Sequence, residues 1–109
     1  NNDHKIIFNS VLMATRPGAL NAVSKLLTFE ILSSSEWSYI NTFKPNFFEV
    51  ISETDLKIKT DAINMYSSEI KPYPFPRSNE GIKALAMYRG MQSGVKYAEA
   101  FQLIREVKI

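Results

Sequence analysis

The single histidine of this chain is the first residue whose chemistry raises a question. His4 follows Asn1, Asn2 and Asp3, and it stands just before the apolar stretch KIIFNSVLMA. A lone histidine in such a position is usually solvated and inert, although imidazole is also the commonest metal ligand. A catalytic zinc site needs three protein ligands and an open position. His4 alone therefore cannot form one, and any further ligands would have to come from elsewhere.

Three carboxylates lie at or near the ends of predicted strands, namely Glu30, Glu36 and Glu99. Open α/β sheets bind their ligands at the carboxyl ends of strands, so each of these side chains is a candidate ligand contact. For any one of them, a solvated loop carboxylate is the simpler interpretation. Composition and spacing leave both interpretations open.

The segment RGMQSGVKYAEAF (89–101) is denser in polar side chains. Arg89, Gln92, Tyr97 and Glu99 bracket a glycine turn between a predicted helix and a predicted strand. The hydroxyl of Tyr97 could donate a hydrogen bond to a developing oxyanion. The alternative is a tyrosine that packs at the sheet edge with its hydroxyl in water.

Other catalytic chemistries lack their sequence patterns. The segment SSSEW (33–37) offers hydroxyls, but there is no Gly-x-Ser-x-Gly elbow for a serine nucleophile. The four glycines are scattered, so no glycine-rich loop could cradle a phosphate. The chain has no cysteine, which excludes disulfides, thiolate zinc sites and cysteine nucleophiles.

Composition narrows the class of protein. The 109 residues are 45% apolar, enough for a packed core, and the formal net charge is +2. The basic residues are dispersed, so nucleic acid is not an expected partner. No apolar run approaches the roughly 20 residues that span a bilayer, so a membrane is not expected either. The lack of cysteine is compatible with a cytoplasmic protein, and a homo-oligomer is left open.

Helices are predicted in three segments, which are 3–15, a stretch from Ser52 to the prolines that begin at 72, and 79–92. Asp3 is the expected N-cap of the first helix. Ser52 and Asp55 have the spacing of a capping box, and Ser78 caps the third helix.

The third helix is expected to turn one face to the core. This face carries Ile82, Leu85, Ala86 and Arg89, and Ser93-Gly94 should end the helix.

Strands are predicted over 25–32, 43–51 and 99–105. Helices alternate with short apolar strands, which indicates an α/β layered domain. No internal repeat or linker divides the chain, so residues 1–109 are expected to belong to one domain. Three strands do not complete a doubly wound sheet, and the first helix has no strand before it. The sequence therefore looks like the second half of such a domain.

Taken together, the ordered segments resemble a known family. NNDH before an amphipathic helix and ATRPG is similar to the second metal motif of the PIG-L/LmbE-type zinc deacetylases. The segments FEILSSSEWSY, FKPNFFEVI, EIKPYPFPRS and YRGMQSGVKYAEAF stand in the order and spacing of that family. The resemblance covers nearly the whole chain and implies its C-terminal half. The implied fold is a three-layer Rossmann-like sheet with flanking helices.

The resemblance implies an activity and a set of roles. Such enzymes hydrolyse the N-acetyl group of an amino-sugar derivative of the GlcNAc type. Their zinc is held by a His and an Asp of an N-terminal His-Pro-Asp-Asp motif and by a His of the second motif, which His4 matches. Asn1 stands where many members have a histidine, and it can donate a hydrogen bond but carries no proton charge. Asp3 would orient a neighbour, and Tyr97 would stabilise the tetrahedral intermediate.

The implied partners are an amino-sugar substrate and an N-terminal segment of the same protein that carries the remaining zinc ligands and the general base. The chain alone is then expected to be inactive. A second hypothesis is a non-catalytic α/β binding or scaffold module that retains the family's shape.

Overall fold

A computed structural model of the chain describes residues 2–18, 20, 22–37 and 39–108. The chain contains both helices and strands, as expected of a mixed α/β protein. In chain order they are α1 (Asn2–Ala14), β1 (Lys25–Phe29), a short 3-10 helix (Ser35–Trp37), β2 (Phe47–Val50), α2 (Glu53–Asn64), α3 (Asn79–Ser93) and β3 (Ala98–Glu106).

The three strands form one sheet in the order β1-β3-β2. Strand β2 pairs with β3 in antiparallel orientation, with Phe47 opposite Phe101 and Glu49 opposite Glu99. Helices α2 and α3 connect β2 to β3 along the chain. A small sheet with an antiparallel pair is compatible with many α/β folds. The three-layer Rossmann-like arrangement stays a prediction.

The chain divides into two compact units, and the single domain expected over 1–109 stays a prediction. The terminal unit comprises Asn1–Leu26 and Ile104–Ile109, and the central unit comprises Leu27–Leu103. In the terminal unit the backbone N–H of Val107 donates to the carbonyl of Ser24 at 2.7 Å. The guanidinium of Arg105 donates to the carbonyl of Thr15, just after the end of α1.

Helix α1 differs from its prediction in two ways. It begins at Asn2, so Asp3 lies inside the first turn and is not the N-cap. A carboxylate in the first turn still interacts favourably with the positive end of the helix dipole. The sequence also places Ile7 and Val11 on one apolar face of this helix. Both side chains are exposed, at 59% and 37% accessible.

The core of the central unit lies between α2, α3 and the start of β3. Leu56, Ile82, Ala86 and Tyr97 are buried there. Half-buried aliphatic side chains pack around them, namely Leu32, Ile51, Ile63 and Ile70. The predicted core-facing side of α3 is confirmed by the burial of Ile82 and Ala86.

Both predicted helix caps of the central unit are confirmed. Ser52 Oγ accepts from the N–H of Asp55 at 3.0 Å, and Asp55 Oδ2 accepts from the N–H of Ser52 at 2.9 Å. Hydrogen bonding from the backbone N–H and from the side chain of Ser52 lowers the pKa of Asp55 below its ordinary value near 3.8. Ser78, which is buried, caps α3 by accepting from the N–H of Gly81.

The predicted length of the second helix is wrong. Helix α2 ends at Asn64, and the chain then forms turns through Tyr66 and Glu69 before the proline-rich segment. Leu56, Ile63 and Ile70 recur every seven residues, which predicts that all three belong to the helix. Ile70, the last member of this seven-residue repeat, packs on the core from outside the helix instead. The repeat identified an apolar position correctly but not its secondary structure, since a side chain can reach the core from a turn as well.

Candidate functional site

The residues predicted to bind metal lie at the start of α1. Asp3 and His4 are both exposed in its first turn, and Asn1 lies outside the described residues. Among the described residues, no three His, Cys, Asp or Glu side chains come together in a group that could hold a metal ion. His4 is thus one candidate ligand, and a complete zinc site would need ligands from outside the described part of the chain.

Tyr97, the predicted oxyanion donor, belongs to the central unit. Its side chain is only 4% accessible and packs with Leu56, Ile82 and Ala86. The ammonium of Lys96 lies 5.3 Å from the centre of its ring. Tyr97 is therefore a core residue, and its participation in a site with His4 stays a prediction.

A cavity of about 410 Å³, here called the central cavity, lies wholly within the central unit. Its apolar wall comes from large side chains such as Phe29, Leu32 and Leu85. Space is left open by small residues, because Ala86, Ala98 and Ala100 also line it. Its size and apolar lining are those of a small-molecule site.

A buried ion pair stands in the wall of this cavity. Arg89 on α3 donates from Nε and Nη2 to the two carboxylate oxygens of Glu30, at 2.9 and 2.8 Å. Both side chains are about nine-tenths buried, with 11% and 10% accessible. Such bidentate contacts between a guanidinium and a carboxylate are geometrically specific as well as strong. Arg89 also donates from Nη1 to Gln92, and its guanidinium lies 5.2 Å from the ring centre of Tyr88.

A second ion pair lines the same cavity. Lys59 on α2 donates to Glu99 on β3 at 2.6 Å, and each side chain is about one third exposed. Glu99 stands directly opposite Glu49 in the β2–β3 register. Two like charges at such a position repel each other, so the contact with Lys59 offsets a repulsion within the sheet.

Arg77 supplies the third cation of the lining. Its Nη2 donates to the carbonyl of Leu32 at 2.9 Å, and its Nη1 donates to Glu69. The Arg77 side chain is mostly buried, whereas Glu69 is more than half exposed. The proline-rich segment is thereby tied to the loop that follows β1. Trp37 from that loop lies beside Phe75, with ring centres 6.3 Å apart.

A smaller cavity of about 230 Å³ also has the Glu30–Arg89 pair in its lining. Glu30 and Arg89 line both cavities, together with Leu32 and Leu85. The ion pair thus belongs to the lining of both cavities. Moving either side chain would change the shape of both.

The three strand-end carboxylates prove to have structural partners. Glu30 binds Arg89 and Glu99 binds Lys59, as described above. Glu36 accepts from the backbone N–H of Ser33 at 2.6 Å, which holds the loop where Ser33 has a positive φ of 65°. The simple expectation of solvated loop carboxylates is therefore wrong for Glu30, which is buried and paired.

Sequence reasoning identified Glu30 and Arg89 separately but missed that they form a pair. Lys59 and Arg77 were not singled out as site residues. One signal was present, because Arg89 falls on the same face of α3 as Ile82 and Ala86. A charge on the core-facing side of a helix must find a partner, although the sequence does not say which.

Comparisons with protein-family models, with curated proteins and with solved structures find no match to this chain. Within the described residues, no helix has both the length and the apolar character needed to cross a membrane.

Proposed function

We propose that this chain is the C-terminal portion of a zinc-dependent deacetylase that hydrolyses the N-acetyl group of a GlcNAc-type amino-sugar derivative. The observation that carries the proposal is the segment NNDH, which runs into α1 with His4 in its first turn, followed by the other family-like segments in order. The proposal includes completion of the three-layer sheet by a preceding part of the protein. It also includes a cytoplasmic location, with which the lack of cysteine is compatible.

The residues of this chain have distinct roles under the proposal. The imidazole of His4 provides one metal ligand, and Asp3 orients a neighbouring group. Asn1 and Tyr97 donate hydrogen bonds to the substrate amide and to the oxyanion of the tetrahedral intermediate. The remaining zinc ligands and the general base come from the preceding part. Zinc, when bound, polarises the amide carbonyl and lowers the pKa of a water to roughly 7.

A non-catalytic binding module is the second candidate function. The central cavity favours this second function, because the cavity is formed entirely by residues of the central unit and is complete without a metal. In that case His4 is a solvated surface residue, as a lone histidine usually is.

An assay of acetate release distinguishes the deacetylase from the non-catalytic binding module. The intact protein, assayed with N-acetylglucosamine and its glycosides, should release acetate and lose this activity when zinc is chelated. His4→Ala should reduce the rate to background. Lys5→Ala alters the neighbouring exposed side chain on α1 and should keep the rate. Acetate release that is equal in His4→Ala and wild type, or absent from the zinc-loaded protein, would overturn the deacetylase proposal.

A further inference from the structure

The central cavity has room for a ligand of moderate size. Its volume of about 410 Å³ corresponds to roughly a dozen water volumes of about 30 Å³ each. The apolar wall, with Phe29 and Phe101 among its large side chains, suits a hydrocarbon body. Burying such a body releases about 25 cal/mol per Å² of apolar surface, so the wall favours an apolar ligand over water.

The charges of the lining are unbalanced. Lys59, Arg77 and Arg89 face two carboxylates, those of Glu30 and Glu99, so the lining carries one excess positive charge. Arg89 is engaged by Glu30 through two hydrogen bonds, and Lys59 is engaged by Glu99. Among the described residues of the lining, Arg77 has no carboxylate partner. Its Nη2 donates to the carbonyl of Leu32, and its Nη1 pairs with Glu69, which does not line the cavity.

Arg77 also has donors to spare. A guanidinium has five N–H groups, and the described residues engage two atoms of Arg77, Nη1 with Glu69 and Nη2 with Leu32. Glu69 is 56% exposed, so solvent screens its contact with Arg77 and the pair contributes little net free energy. An anionic group at the cavity could therefore bind Arg77 beside Glu69, or in its place, at small cost.

We propose that the central cavity binds an amphiphilic carboxylate, with its apolar body against the aromatic and aliphatic wall and its carboxylate on Arg77. The ligand class is a monoanion with an apolar chain or ring of about ten carbon atoms. This binding does not depend on the deacetylase proposal, because the site lies wholly in the central unit and involves neither His4 nor a metal.

Calorimetric titration of the protein with decanoate tests the proposal. Decanoate should bind saturably at one site, and decanol, decyltrimethylammonium and acetate should each bind at least about tenfold more weakly. Arg77→Gln should weaken decanoate binding by a similar factor. Lys57→Gln removes an exposed lysine that pairs with Asp61 outside the cavity, and it should leave the binding unchanged.

A space-filling variant tests the place of binding. Ala86→Leu should block decanoate, because Ala86 lines the cavity, whereas Ala84→Leu on the exposed side of the same helix should not. If Ala86→Leu fails to fold, as judged by circular dichroism, the comparison of Arg77→Gln with Lys57→Gln decides. Decanoate that does not bind, binds equally to Arg77→Gln, or binds no better than decanol would overturn the proposal.

Discussion

At the scale of single residues, Glu30 and Arg89 form a largely buried ion pair in the central unit. Both charges are about nine-tenths buried, so each has given up most of its hydration. The Arg89 guanidinium donates two hydrogen bonds to the Glu30 carboxylate and a third to Gln92, and these compensate for that loss. A buried pair of this kind need not stabilise the fold more than apolar side chains would, but breaking it leaves an unpaired charge.

Arg89→Met should therefore lower the free energy of unfolding by about 3–5 kcal/mol, because the Glu30 carboxyl group would be left largely buried without its partner. The double variant Arg89→Met with Glu30→Met should recover most of that loss. Urea unfolding followed by circular dichroism measures both quantities.

The exposed pair Lys57–Asp61 provides the matched control. Its side chains are 75% and 65% accessible, so Lys57→Met should change the free energy of unfolding by less than about 1 kcal/mol. If the double variant at Glu30 and Arg89 is as unstable as Arg89→Met alone, the unpaired charge is not the cause.

The capping box at Ser52 and Asp55 makes a prediction about pH. The pKa of Asp55 is lowered in the folded chain by hydrogen bonds from the backbone and side chain of Ser52. The carboxylate therefore stabilises the fold fully above its ordinary value near 3.8, and this contribution is lost as the pH falls through the lowered pKa. Asp55→Asn should be less stable than wild type at pH 7, and the difference should disappear in strong acid.

The measurement is the urea midpoint of both proteins at a series of pH values from neutral to strongly acidic. Subtracting the two curves removes the effect of the other carboxyl groups, which titrate in both proteins. A difference that stays constant over the whole range would show that Asp55 acts through something other than its charge.

At the scale of elements, helix α3 fits closely against the turn that follows it. Gly90 is buried in α3, and a Cβ there would lie 2.5 Å from the carbonyl oxygen of Lys96 and 2.6 Å from that of Val95. Backbone atoms cannot move aside as a flexible side chain can. The absence of a side chain at position 90 thus allows the chain to fold back from α3 into β3.

Gly90→Ala should destabilise the protein by about 1–3 kcal/mol or more, because it overpacks this contact. The sign of this change in the free energy of unfolding is informative. Alanine at an unobstructed helix position would instead stabilise the protein by up to about 1 kcal/mol relative to glycine. Thermal unfolding measures the effect. A melting temperature higher in Gly90→Ala than in wild type would contradict the close approach of position 90 to the carbonyl oxygens of Val95 and Lys96.

The elements themselves are largely predictable from local signals. The caps at Ser52 and Ser78 act over three residues, so the starts of α2 and α3 are visible in the sequence. The end of α2 at Asn64 is not, because Ile63 and Ile70 keep the apolar repeat going past it. The Glu30–Arg89 pair joins residues 59 positions apart, and no local pattern encodes such a partner.

At the scale of the whole molecule, the residues of chemical interest fall into two groups. His4 and Asp3 belong to the terminal unit, and the central cavity with Tyr97 and the buried ion pair belongs to the central unit. The alternation of helices and strands predicted the α/β class correctly. The zinc chemistry rests on the resemblance of the ordered segments, since a lone imidazole cannot specify the ligands that would join it.

Zinc content is the most direct test of the central proposal. The intact protein, purified with zinc and dialysed, should hold about one zinc ion per chain by elemental analysis. His4→Ala should lose most of that zinc while its circular dichroism spectrum is unchanged, and Lys5→Ala should retain it. Equal zinc content in His4→Ala and wild type would contradict a metal-binding role for His4, and with it the proposed deacetylase.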